Sequence, residues 1–154
     1  MKTYILMLSK VFPTTHPRCG EPTDFKKKRK DGSKKHTIRG NAEFWEHRAE
    51  EINAGRAILS IRQWSGKPYE KGSHQIVIGE QTRLGTQRIT LGCYGAFPAP
   101  WATVQNGDKQ SPVEIDRIAA NDGLSTSDFI SWFNLRKRKD NFNGVILHFT
   151  DYRY

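Results

Sequence analysis

The order of hydrophobic periods along this chain predicts an α+β fold: a small, mostly antiparallel, barrel-like β-sheet with flanking helices. Three observations lead there. Short segments of alternating polarity, the signature of half-buried strands, fill the middle of the chain. Two segments with helix-start residues come late, just before one more apolar run, so strands and helices are segregated instead of alternating as in a parallel α/β sheet. Length is the third: 154 residues suit one domain, and 4 Trp, 8 Phe and 5 Tyr supply a core that folds without metal or disulfide staples. With no internal repeat, low-complexity linker or clear boundary, residues 1–154 read as a single domain.

Each element has its own signal. Thr3 to Leu8 reads as a strand, and the Pro13, Pro17, Gly20, Pro22 stretch after it as an irregular connection. Asp24 to Lys30 is a short helix with a thin apolar face, capped by Thr23 and stopped by Gly32. Asn41 is the N-cap of a helix running to about Ala54, with Gly55 past its end and Phe44, Trp45 and Ile52 expected to pack inward. Ala57 to Trp64 alternates as a strand, Ser65-Gly66-Lys67-Pro68 turns the chain, and His74 to Gly79 and Thr86 to Leu91 are strands around an Arg83-Leu84-Gly85 turn. Ser111-Pro112-Val113-Glu114 has the form of a capping-box helix start with proline at the first helical position, and Ser125-Thr126-Ser127-Asp128 repeats it more weakly. The second of these helices carries Phe129, Trp132 and Phe133 on one face and is expected to end in the basic run at 136–139. Val145 to Phe149 closes the chain as a strand.

Charge is concentrated. The net charge is +9, from 25 Lys+Arg and 16 Asp+Glu. Eight positive residues lie between Lys26 and Arg39 against Asp31 alone: Lys26, Lys27, Lys28, Arg29, Lys30, Lys34, Lys35 and Arg39. Arg136, Lys137, Arg138 and Lys139 form a second cluster. Such patches suit phosphates, so RNA is a candidate partner through Lys26–Lys30 and Arg136–Lys139; the alternative is a solvated helix end and loop. The mean hydropathy is −0.72, and no apolar run approaches the roughly 18 to 20 residues that cross a bilayer. No membrane partner is expected, and with no signal-peptide cleavage site after Met1 to Ser9 the expected location is the cytoplasm. Cys19 and Cys93 are far apart and lack a partner motif, and the five histidines have no ligand spacing, so neither a metal nor another cofactor is expected.

The segment Gly32-Ser33-Lys34-Lys35-His36-Thr37-Ile38-Arg39 follows the short helix. Its G-x-K-x-x-T-I-R pattern resembles the signature of the ASCH domain, a small barrel related to the PUA-type RNA-binding fold. The helix and Gly55 before a strand agree, as does Asn121-Asp122-Gly123-Leu124-Ser125 feeding an aromatic helix. The order of elements carries the resemblance over most of the chain; its specific residues lie in the first motif and, more weakly, the second. It implies a PUA-like β-barrel and one of two functions. The first is binding of RNA or modified nucleosides. The second, as in the small acetylcytidine amidohydrolases of this family, is hydrolysis of an acyl group from the exocyclic amine of cytidine. Those enzymes use a lysine, a threonine and a carboxylate, which the motifs place on Lys34, Thr37 and Asp122. The family has glutamate at the last position, so Asp122 is one methylene short, and Glu114 is the other carboxylate considered. A second departure is Arg29, one turn after Phe25 where relatives carry an aliphatic residue: its stem covers apolar surface, or this helix has become a phosphate contact.

The chemistry has its own logic. A threonine hydroxyl is a weak nucleophile until a base takes its proton, and a lysine serves as that base only when desolvation or nearby cations pull its pKa down from about 10.4. Lys35 and Arg39 are such cations. A carboxylate at Asp122 would orient the ammonium or exchange protons with the leaving amine. Residues three apart on a strand face opposite ways, so Lys34 and Thr37 converge only if the chain turns between them. Each residue also has a plain reading: Lys34 as one more solvated lysine, Thr37 as a strand threonine, Asp122 as a turn residue, Arg39 as a pin for the loop. Arg39, His36, Arg62, Trp64 and Tyr69 complete the expected substrate contacts, the two rings as stacking surfaces for a nucleobase. Tyr94, Phe97 and Trp101, in a Gly/Pro-rich loop, are candidates for a pocket lid. The leading expectation is a metal-independent amidohydrolase acting on acylated cytidine or a related modified nucleoside; a non-catalytic RNA-binding module is the alternative.

Overall fold

A computed structural model describes residues 1–95 and 99–154. It is mixed α+β, with four helices and eight strands in two mostly antiparallel sheets among the described residues. Strand β1 (Lys2–Met7) pairs in parallel with β3 (Ala57–Trp64), and β3 pairs antiparallel with β4 (Gln75–Gln81). The second sheet is antiparallel throughout: β2 (His36–Arg39), β8 (Phe142–His148), β5 (Gly85–Cys93), β6 (Pro100–Asn106) and β7 (Lys109–Val113), in that spatial order. No strand pairing joins the two sheets among the described residues.

Helix α1 (Phe25–Lys30) and β2 follow β1, and helix α2 (Ala42–Asn53) then carries the chain back to the parallel strand β3. Asn41 caps α2 as its sequence predicts, its side chain accepting from the Phe44 N–H. Trp45, Ala49 and Ile52 face the core, but Phe44, expected inside, is exposed, with the Arg48 guanidinium 3.9 Å from its ring centre. The helix turns one narrow stripe inward, and Phe44 lies beside it, covered by a cation instead of by the core. In β3, Ala57, Leu59 and Ile61 are buried as the alternation requires.

Three expectations in the second half are overturned. Lys109–Val113, which contains Ser111 and Pro112 of the supposed capping box, is strand β7, paired with β6 through Thr103↔Pro112 and Val104↔Ser111. Proline is tolerated there because β7 is the edge of its sheet, where one side of the strand needs no donor. Helix α3 (Ile115–Asn121) starts only after Glu114, whose side chain makes no cap. Trp101, read as part of a loop, belongs to β6 and packs so closely over Gly92 that a Cβ there would meet Trp101 Cζ2 at 2.5 Å. Phe97 lies outside the described residues. Helix α4 (Thr126–Trp132) starts on the expected Ser125 cap but stops at Phe133, and Asn134 turns left-handed with φ 52°. The basic run at 136–139 therefore follows the helix instead of ending it.

The core is one cluster. Leu6, Leu59 and Ile61 of the first sheet meet Ile89, Leu91, Val104, Val145 and Leu147 of the second, with Ile118, Phe129 and Leu135 closing one side. The described chain has no helix long and apolar enough to cross a membrane.

Candidate functional site

The glycine-bearing loop between α1 and β2 is tied down by its backbone before any side chain acts. Lys34 N–H donates to Lys28 C=O at 2.9 Å, Lys35 N–H to Asn121 C=O at 2.7 Å, and Phe149 N–H to Lys35 C=O at 2.9 Å. The loop thus joins α1, the end of α3 and the end of β8. Gly32, at φ +85°, makes the turn that lets Lys34 point inward, towards the cavity Thr37 faces. The turn that brings both side chains to one cavity is made in the loop, before β2 begins at His36.

Lys34 is 2% exposed, so it is not a solvated lysine. Its Nζ donates to the backbone C=O of Asp122 at 2.6 Å and to Asp122 Oδ1 at 3.2 Å, and sits 4.0 Å from the centre of the Phe25 ring. The shorter carboxylate therefore reaches its lysine. Asp122 occupies the C-cap of α3, where the helix's last carbonyls favour a cation, so its turn-residue role and its site role coincide. Glu114, at the other end of α3, is exposed. Gly123 completes the arrangement: its φ is +82°, and a Cβ there would lie 3.2 Å from Lys34 Cβ.

Burial sets the electrostatics. Desolvation lowers the Lys34 pKa from its ordinary value to about 8; Asp122 opposes the shift, while Arg39 and Lys28 add to it. Burial alone would raise the Asp122 carboxyl, but Lys34 and His36 outweigh it and hold the group below the usual range. Buried and salt-bridged, the pair is one unit.

Thr37 and Arg39 share the cavity with Lys34 and Asp122. Its volume is about 320 Å³, and Phe25, Trp132 and Phe133 supply the apolar walls. Arg39 donates to Thr37 Oγ1 at 2.8 Å, to Ile38 C=O at 2.9 Å and to Met7 C=O at 2.6 Å, so it pins β2 to the end of β1 with hydrogen bonds while facing the cavity. No hydrogen bond joins Lys34 to Thr37 among the described residues.

The remaining expected contacts divide. His36 is fully buried behind the cavity wall, its Nδ1 3.4 Å from Asp122 Oδ1 and its Nε2 2.6 Å from Tyr154 Oη. It touches the site from behind instead of meeting a substrate. Arg62 is engaged along the first sheet, with Ser60 Oγ at 2.9 Å and Gln75 Oε1 at 3.1 Å, and lines no part of the cavity. Trp64 and Tyr69, ring centres 4.9 Å apart, line a different, more apolar groove of about 940 Å³. Ser9 borders both spaces, which makes them neighbours. Tyr94 and Trp101 do not line the Lys34 cavity. Sequence reasoning missed Ser9, the Trp132–Phe133 wall as a cavity lining, and Tyr154; the last has no local signal, because only the fold brings residue 154 to residue 36.

The basic clusters are also redistributed. Lys28 donates to Gly123 C=O at 2.8 Å, Lys34 and Arg39 face the cavity, and the Arg29 guanidinium lies 5.4 Å from the Phe149 ring centre and against Gly79. Arg29 thus covers apolar surface, but with its guanidinium and not, as in the first of its two readings, with its stem alone. Arg138 donates to Asp140 C=O at 3.1 Å and to Phe133 C=O at 3.4 Å, closing its own turn. Comparison of the chain with protein-family models, curated proteins and solved structures finds no match.

Proposed function

We propose that this chain is a metal-independent amidohydrolase that removes an acyl group from the exocyclic amine of acylated cytidine or a related modified nucleoside, on an ASCH-type, PUA-like barrel in the cytoplasm. The observation that carries the reading is the buried Lys34, paired with Asp122 and lowered to about 8, in a cavity it shares with Thr37. A buried lysine with a perturbed pKa beside a hydroxyl is the combination a base and a nucleophile need. That Lys34, Thr37 and Asp122, the residues of the motifs, all line one cavity supports the reading.

In this reading neutral Lys34 takes the Thr37 proton as Oγ1 attacks the acyl carbon. Arg39 already donates to Oγ1, which leaves the hydroxyl's own proton free to be given up. The amide C–N bond breaks, the Lys34 ammonium returns its proton to the leaving cytidine amine, and water then cleaves the threonine ester. Asp122 holds the ammonium between these transfers. A volume of about 320 Å³ fits a nucleobase-sized group at the low end of the range of about 300 to 1,000 Å³ typical of ligand pockets. The adjoining Trp64–Tyr69 groove would receive the rest of the molecule.

The experiment is conversion of acetylcytidine to cytidine by the purified protein, beside Lys34→Ala and a chelator-treated sample. Turnover that survives chelation and disappears in Lys34→Ala is expected. No turnover of any acylated cytidine would overturn the reading in favour of a binding module.

A further inference from the structure

The His36 ring has two polar neighbours, Asp122 on one nitrogen and Tyr154 on the other, and they bear on where its proton lies. Its Nδ1 is buried, makes no hydrogen bond, and lies 3.4 Å from Asp122 Oδ1. Its Nε2 is 2.6 Å from Tyr154 Oη. That phenol oxygen already accepts from Asn121 Nδ2 at 3.0 Å. A hydroxyl has one proton to give, and with the Asn121 amide occupying a lone pair the Tyr154 proton points at Nε2. An Nε2 that receives a proton carries none in the neutral ring, so the ring's proton sits on Nδ1, on the side of the ring next to the carboxylate that holds Lys34.

We propose that Tyr154 is a positioning residue of the site: through the His36 ring it fixes the donor that faces Asp122, and so sets how firmly Asp122 holds the proton on Lys34. The catalytic consequence rests on the proposed function; the effect on Lys34 rests on geometry alone.

The surrounding charges support this division of labour. Lys34 faces Asp122, Arg39 and Lys28. His36 faces Asp122, Tyr154 and His148, whose ring centre is 5.7 Å away. Burial, then His36 and Arg153, push the His148 pKa down to about 3, so it stays neutral, its Nε2 paired with Gln87 Oε1 at 2.9 Å. Burial raises the Tyr154 pKa far above that of a free phenol, so it remains an O–H donor; Tyr152 and Arg117 flank its ring. Without the Tyr154 hydroxyl nothing occupies Nε2, so the ring's one proton can move from Nδ1 to Nε2. A bare Nδ1 lone pair then faces the carboxylate, which becomes more basic and holds the Lys34 ammonium more tightly.

Nitrogen-15 NMR of the full chain tests this without substrate. The unmodified protein should show His36 protonated at Nδ1 and bare at Nε2; the opposite tautomer overturns the proposal, whether or not any variant folds. In Tyr154→Phe the Lys34 titration midpoint should rise by about half a pH unit or more. The rising limb of kcat against pH should move with it. His36→Asn places an amide N–H where Nδ1–H stood, so in that background Tyr154→Phe should add nothing. A Lys34 midpoint unmoved in folded Tyr154→Phe also overturns the proposal. If no acylated cytidine is turned over, the proposed function fails while the Lys34 and His36 measurements still decide this one.

Discussion

Lys34 is the residue on which the proposed chemistry depends, and a lysine at 2% exposure is tolerated only if it is matched or neutral. It is matched by Asp122 at 3.2 Å and held near neutrality by burial. In the proposed reaction the base is the neutral form, so kcat/KM should climb with pH and level off above about 8, read from initial rates of acyl-cytidine hydrolysis. Asp122→Asn removes the group that raises the Lys34 pKa, so this limb should move to lower pH while the plateau falls. The same variant should lose about 1 to 3 kcal/mol of unfolding free energy in urea, the cost of removing one partner from a buried polar pair. Lys34 also affects stability with a definite sign. Its folded pKa of about 8 is below its ordinary 10.5, so between those values the unfolded chain binds more protons and this contribution to stability rises with pH. Lys34→Met should flatten that rise in a series of urea titrations across the window.

At the scale of elements, the loop between α1 and β2 and the turn after α3 are built for each other, and two glycines separate their roles. Gly32 and Gly123 are both left-handed, at φ +85° and +82°, but only Gly123 has neighbours at its missing Cβ, with Lys34 Cβ at 3.2 Å. Alanine at either position should cost about 1 kcal/mol in backbone strain. Gly123→Ala should also displace Lys34 and depress kcat at least about tenfold, since small misplacements of a catalytic group are expensive. Gly32→Ala, with open space around it, should keep most of its activity; equal losses in both would sink this distinction. Local elements such as these are largely legible in the sequence. Asn41 and Ser125 cap their helices because capping is a contact between near neighbours. The β6–β7 hairpin is not legible, because Ser111-Pro112 is equally compatible with a helix start and with an edge strand, and only pairing with β6 decides between them. The site divides the same way. Lys34, Thr37 and Asp122 are marked by their motifs, whereas Tyr154 reaches His36 across 118 positions of sequence, and nothing local announces it.

Over the whole molecule, the question is what a net charge of +9 does. A linear reading of the basic runs treats every lysine and arginine as surface, but folding turns Lys28, Arg29, Lys34 and Arg39 to other partners. Burial, not composition, therefore decides which charges a polyanion can meet, and that assignment exists only in three dimensions. Lys26, Lys27 and Lys30 remain exposed on α1, and Lys137 and Lys139 beyond α4. Nucleic-acid affinity falls steeply with salt, roughly as the power 0.7 to 0.9 of its concentration for each phosphate that a lysine or arginine neutralises. A neutral nucleoside at Lys34 releases no counterions. Turnover of acetylcytidine should thus keep its KM within about twofold from roughly 50 to 500 mM salt. Charge reversal of Lys26, Lys27 and Lys30 together should leave that KM in place, because none of the three lines the cavity. Binding of single-stranded RNA, followed by fluorescence anisotropy over the same range, is the contrasting measurement. If the reversed variant lost RNA affinity sharply while Lys34→Ala kept it, and neither turned over nucleoside, the exposed α1 lysines and not the buried one would define what this protein does.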